Sequence, residues 1–199
     1  MRNLKYLLGI DLGTSGTKTV LFEETGRAVA SETIEYPLYQ PKNGWAEQEP
    51  EDWWNAVAKS TRQLISHIDP ADIAAVSFSG QMMGCVCVDK TGRPLRRALI
   101  WADMRAKAQE ARIREAIDET EFYHLTGHRL SPSYGGQKLM WVRENEPEIY
   151  NATYKMLNAK DYIILRLTGE FVTEYTDASS TCLLDLEKLE WSPRLLDAM

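Results

Sequence analysis

The chain has 199 residues, of which 44% are hydrophobic and 26% charged, a composition that suits a globular protein with one well-cored domain or one and a half. Its formal net charge of −6 argues against a nucleic-acid binder, which usually carries a basic patch. No apolar run approaches the ~20 residues that span a bilayer, and the 3 cysteines, Cys85, Cys87 and Cys182, fit no zinc spacing, so the expected setting is a reducing cytoplasm.

The first stretch, Leu7 to Phe22, reads LLGIDLGTSGTKTVLF. An apolar run from Tyr6 to Ile10 ends in a lone carboxylate, Asp11, and a small-residue turn from Gly13 to Thr17 leads into a second β-type run, Thr19 to Phe22. Two such runs joined by a glycine-bearing turn predict a β-hairpin. The turn has the chemistry of a phosphate cradle. Glycines let backbone N–H groups approach an anion, Thr14, Ser15 and Thr17 offer hydroxyls, and Lys18 adds a cation. Asp11 repels a phosphate but can hold a magnesium ion that touches one. A Walker loop is excluded because Lys18 follows a threonine and leads into a β-type run, and the glycine spacing excludes a dinucleotide fingerprint. An ordinary hairpin with an aspartate at its rim fits the spacing equally well.

Further along, Ala28 to Tyr36 reads as a third strand, completing an antiparallel meander. Pro50, Glu51 and Asp52 open an amphipathic helix to His67, in which Trp53 and Trp54 are core anchors. Ile73 to Ser79 has the composition of a buried strand, and the helix before it implies a crossover and a mixed sheet. That strand runs into Gly80-Gln81-Met82-Met83-Gly84, at the carboxyl end where ligands gather in open α/β sheets. Cys85 to Val88 and Pro94 to Trp101 suggest another hairpin, with the cysteines as small sheet residues. Asp103 suits the N-cap of a helix from Met104 to Ile117, a role that competes with contact to substrate. A short helix is expected to stop at Gly127, and Ser131 to Gly136 is a loop able to line a pocket. Helices at Gln137 to Glu144 and Lys160 to Leu167 flank a short strand, Tyr154 to Leu157, and Thr173 to Thr181 reads as a capped short helix. Ser192-Pro193 opens a helix with only six residues after it, which suggests a chain cut short.

Four stretches in order carry a resemblance: Ile10 to Phe22, Gly44 to Trp54 (GWAEQEPEDWW), Ser79 to Gly84 (SGQMMG) and Ile100 to Arg105 (IWADMR). They resemble the FGGY family of carbohydrate kinases, nearest its xylulose-kinase branch, over the whole chain. The resemblance implies an α/β fold, a ribonuclease-H-like (actin-like ATPase) domain whose mixed sheet has an antiparallel β-meander and flanking helices. Residues 1–199 would form the amino-terminal, sugar-binding domain, with a carboxy-terminal nucleotide-binding domain missing. The implied reaction is transfer of phosphate from ATP, with Mg2+, to a sugar, D-xylulose becoming D-xylulose 5-phosphate.

Carried over by motif, Asp11 would hold the metal, and Gly13, Thr14, Ser15, Thr17 and Lys18 would bind phosphate. Gln81, Met82, Met83, Trp101 and Asp103 would meet the sugar. The branch usually has histidine where this chain has Met83, and a thioether is a weaker hydrogen-bonding group, so the sugar stays open. The family's general base, an aspartate in a Gly-Gly-Asp-type motif, would lie beyond residue 199, so no catalytic residue is assigned and the chain alone is expected to be inactive. A kinase for glycerol, gluconate, a tetritol or another ketose is the alternative, as is a non-catalytic actin-like binding module. Small-molecule sugar and ATP are the expected partners, with a second copy of the chain as a further candidate and neither nucleic acid nor membrane.

Overall fold

The computed structural model of the chain describes residues 5–199. Its central sheet begins with the predicted hairpin. Strand β1 (Tyr6–Leu12) pairs antiparallel with β2 (Gly16–Glu23), which pairs antiparallel with β3 (Ala28–Glu35). After a short strand, β4 (Glu47–Gln48), helix α1 (Pro50–Leu64) crosses the sheet and returns the chain to β5 (Ile73–Gly80), parallel to β1. The order β3-β2-β1-β5 is therefore the mixed sheet with an antiparallel meander that the sequence predicts.

Helix α1 starts at a proline, carries Glu51 and Asp52 in its first turn, and buries Trp53, Ala56, Val57 and Ser60 along one stripe. It lies across β2 and β3, where the buried hydroxyls of Ser60 and Thr19 bond at 2.7 Å. Strand β5 departs from expectation. Its apolar composition predicts burial, yet Ala74 to Ser77 are exposed. It forms an edge of the sheet, and apolar composition alone cannot distinguish an edge from a centre.

The second predicted hairpin forms through antiparallel bridges, Cys85 to Leu99 and Val88 to Pro94, while the ladders of its strands β6 (Val86–Val88) and β7 (Ala98–Leu99) run to distant partners. β7 pairs with β4, and β6 pairs with β8 (Lys155–Leu157). Between them lie α2 (Lys107–Ala116), α3 (Glu119–Thr126), α4 (Gly135–Asn145) and α5 (Pro147–Ala152). α3 is capped by Asp118 and stopped by Gly127, whose φ of 70° is a left-handed conformation that glycine adopts without a Cβ penalty. After β8 come α6 (Ala159–Thr168), α7 (Tyr175–Ser179), the small hairpin β9 (Leu184–Asp185) and β10 (Glu190–Trp191), and α8 (Pro193–Ala198).

The largest core cluster joins Ile10 and Leu12 of the sheet to Trp53, Val57, Val86, Ile100, Tyr162 and Ile163. Cys85 and Cys87 are buried free thiols in a smaller cluster with Leu99 and Val142, as their alternation with valines predicts. Among the described residues no helix is long and apolar enough to cross a membrane.

Candidate active site

The turn between β1 and β2 closes through a backbone bond from Gly13 N to Gly16 O at 3.0 Å. It is fastened from outside as well. The Tyr36 hydroxyl donates to Gly13 O at 2.5 Å, and burial pushes that phenol up to about 12. Gly16 must be glycine, because a Cβ there would sit 2.7 Å from the Ile34 carbonyl oxygen on β3. Asp11, Ser15 and Lys18 are exposed and Thr14 is half-buried, so these reach solvent around the turn. Asp11 and Lys18 are register partners and share a groove of about 330 Å³ with Gly9, Val20, Ser77 and Ser79. Among the described residues Asp11 forms no ion pair, which leaves its carboxylate free for a cation. Thr17 corrects the expected phosphate-binding set. It is wholly buried, so its hydroxyl faces the interior beside Tyr36 rather than the open side of the turn.

The four motifs meet around Gln48, which is fully buried on β4. Its Nε2 donates to Thr14 O at 2.7 Å. Its Oε1 accepts from Trp53 Nε1 at 3.2 Å and from Gln81 Nε2 at 2.8 Å. The backbone N–H of Gln81 donates to Leu12 O at 2.8 Å. Trp101, 45% exposed, donates from Nε1 to Thr14 Oγ1 at 2.8 Å. Gln81 and Trp101 thus reach the same turn from different loops, one through Gln48 and one directly. Gln48 was missing from the candidate set. Its signal lay inside the Gly44 to Trp54 motif, which identified the family without showing which side chain did the joining.

The loop after β5 holds Met82 and Met83 half-buried. Met83 has φ of 60°, a left-handed conformation that costs energy in a methionine and persists because its surroundings hold it. Its N–H donates to Ser180 Oγ at 3.1 Å, and its carbonyl accepts from Lys138 Nζ at 2.8 Å. The next residue, Gly84, donates to Asn158 Oδ1 at 3.0 Å. Asn158 caps α6 in a reciprocal box with Asp161 and donates from Nδ2 to Asp177 O at 3.1 Å. Burial, with the Asp161 carboxylate nearby, raises the Asp177 carboxyl to about 7.

Asp103 is also corrected. Helix α2 begins three residues later than expected, at Lys107, with Ala106 as its N-cap and no side-chain cap bond. The Asp103 carboxylate is fully buried, accepts from Ala46 N at 2.7 Å and pairs with Arg105 at 2.8 Å. Arg105 continues to Glu47 at 2.7 Å and stacks on Trp45 at 3.6 Å. Asp103 therefore holds the loop that carries Trp101, and its oxygens are taken by protein groups. A strong local partner such as Arg105 outcompetes a helix terminus for a carboxylate. A wider groove, about 560 Å³, opens beside Phe171, Trp191 and Leu196, but no residue of the four motifs lines it.

The model of the FGGY family of carbohydrate kinases, N-terminal domain, matches residues 6–199. The xylulose kinase of Bacillus subtilis (strain 168) is 40% identical over 191 residues, covering 95% of this chain and 38% of that protein. The xylulose kinase of Escherichia coli (strain K12) is 40% identical over 192 residues, covering 96% and 39% respectively. The crystal structure of gluconate kinase from Lactobacillus acidophilus superposes with a TM-score of 0.92 at 37% identity, covering 98% of this chain and 39% of that one. The chain spans about two fifths of the length of these relatives. It belongs to the FGGY family of carbohydrate kinases and corresponds to the family's N-terminal domain.

Proposed function

We propose that the chain supplies the sugar-binding wall and the first phosphate turn of a kinase that transfers phosphate from ATP to D-xylulose, giving D-xylulose 5-phosphate. The observation that carries this reading is the convergence on Thr14. Gln48 ties its carbonyl to Gln81, and Trp101 holds its hydroxyl, so the phosphate turn and the proposed sugar loops are one bonded unit. Such positioning is what phosphoryl transfer demands of a protein, since most of its catalysis is alignment and charge stabilisation.

In this reading the N–H groups around Gly13 to Ser15 and the Thr14 and Ser15 hydroxyls face the transferred phosphate, with Lys18 adding charge. Gln81, Met82, Met83 and Trp101 face the sugar. Asp11 is the residue that would hold Mg2+, which supplies positive charge to the phosphate oxygens when bound. None of these residues is assigned as the base that takes the sugar hydroxyl proton.

Gluconate is the second reading, favoured by the similarity to the Lactobacillus acidophilus gluconate kinase, since Met83 leaves the sugar open. Thermal melting of the chain with D-xylulose, gluconate and glycerol in turn separates them, because a ligand of the native state raises Tm. Stabilisation by D-xylulose above the others is expected. Stabilisation by gluconate alone replaces the substrate, and none from any of the three removes the sugar-wall reading.

A further inference from the structure

Lys138, near the start of α4, is completely buried and forms no ion pair among the described residues. Its ammonium donates to three backbone carbonyls: Met83 O at 2.8 Å, Ile100 O at 2.7 Å and Ser133 O at 2.5 Å. These carbonyls lie on three separate loops. One carries Gln81 to Met83, one carries Trp101, and the third is the Ser131 to Tyr134 segment, where Ser133 Oγ approaches Met83 Sδ at 3.9 Å. A protonated lysine has three N–H donors for three acceptors, and a neutral amine has only two. Only the charged form satisfies the whole arrangement.

The three bonds fall at places that matter. Met83 holds a left-handed backbone with φ of 60°, and its two backbone polar groups are taken by Ser180 and Lys138. Ile100 immediately precedes Trp101, whose indole reaches Thr14 on the phosphate turn. We infer that Lys138 is the positioning residue of the proposed sugar pocket, cross-tying the three loops that form its wall and so fixing where Met83 and Trp101 stand. This rests on the proposed sugar site for its functional meaning, but the cross-tie is a property of the chain alone.

The charged and titrating neighbours of Lys138 are Cys85, Asp103 and Arg105. Burial lowers the lysine to about 7, with Cys85 and Asp103 opposing that fall and Arg105 adding to it. Loss of its proton leaves one of the three carbonyls facing a lone pair. Sugar affinity then weakens as pH rises through the lysine's titration, although a neutral ketose has no group of its own to titrate.

The experiment compares the chain with its Lys138→Met variant, which is unbranched and one atom shorter, of similar volume, and has no donor. D-xylulose affinity is measured by calorimetry from about pH 6 to about pH 9, a span that brackets the expected lysine titration. Amide hydrogen exchange is followed without ligand. The variant is expected to bind on the order of tenfold more weakly, the equivalent of about one net hydrogen bond, with a flat pH profile. Its exchange rises at residues 82–84, 100–102 and 131–134 and stays unchanged in β1 to β3. Binding and a pH profile equal to the wild type, or exchange that rises uniformly, overturns the inference. If the wild type binds no D-xylulose, the substrate reading fails, and the exchange pattern alone decides the role of Lys138. If the variant does not fold, the wild type decides: affinity that falls with rising pH upholds the tie, and a flat profile removes it.

Discussion

The indole of Trp101 donates to the hydroxyl oxygen of Thr14 at 2.8 Å, across 87 residues of sequence. One partner sits on the turn between β1 and β2, the proposed phosphate turn, and the other on an exposed loop. Replacing Trp101 with phenylalanine removes the donor and keeps most of the ring. Because the side chain is 45% exposed, stability is expected to change by no more than about 0.5 kcal/mol. D-xylulose affinity is expected to fall about fivefold, near the value of one net hydrogen bond, as read by isothermal titration. Unchanged affinity dissociates Trp101 from the site.

Gln48 has the opposite character, since its amide is buried and every bond it makes is internal. Gln48→Leu strands the Thr14 carbonyl, the Trp53 indole N–H and the Gln81 amide without partners. A loss of about 2–4 kcal/mol is expected in urea denaturation, because unpaired buried polar groups cost about 1–3 kcal/mol each and partly relax. A loss below about 1 kcal/mol means the network tolerates being broken.

At Gly16 the constraint is steric. A Cβ would lie 2.7 Å from Ile34 O, a backbone atom that cannot swing aside. Gly16→Ala is expected to destabilise the chain by about 1–3 kcal/mol through displacement of β3. Gly26, where nothing lies within 4 Å but φ is 85°, supplies the comparison. Its alanine variant carries conformational strain of about 1 kcal/mol and no clash. Equal cost at both positions in denaturant titrations argues against close approach as the cause.

Met83 invites restoration of histidine. Histidine tolerates the left-handed region better than methionine and brings a hydrogen-bond donor. Met83→His is expected to tighten D-xylulose binding by about three- to tenfold, the range of one modest hydrogen bond. Weaker D-xylulose binding together with retained gluconate binding favours the second substrate reading.

Asp177 gives a pH signature. Its folded carboxyl is raised to about 7, well above the usual 3.8, by burial and by Asp161. The folded state therefore holds a proton that the unfolded state releases between those values. Stability is expected to decline as pH rises from about 4 to about 7, by on the order of a few kcal/mol, with the Lys160 contact at 3.5 Å already moderating the rise of the carboxyl. Asp177→Asn is expected to flatten that decline in melting curves recorded across the range. A wild-type curve that rises with pH instead contradicts the assignment.

Much of this was readable from local pattern. The hairpin, the meander and α1 follow from alternation, turn residues and helical spacing, and each involves neighbours in sequence. What escaped was decided by distant partners. The segments of β6 and β7 do bridge as a hairpin, but their ladders go to β8 and β4, which local pattern does not show. Asp103 looks like a cap until Arg105 and Ala46 claim its oxygens. Thr17 shares the turn's composition with Thr14, but strand alternation turns it inward. Gln48 and Lys138 carry no local signal of their importance, because each matters through the loops it joins.

The register of β1 also bears on how the chain reaches this state. On one side β1 pairs with β2 across a three-residue turn, while on the other Tyr6 must find Ile73. Closing the short loop is fast and cheap in entropy, and closing the long one is neither. The meander is thus a local unit able to form early, and docking of β5 through the α1 crossover is the late, topology-limited event. Since Gln81 follows β5 directly, the proposed sugar loop is assembled only when that slow step is complete, so the proposed site is finished at the end of folding.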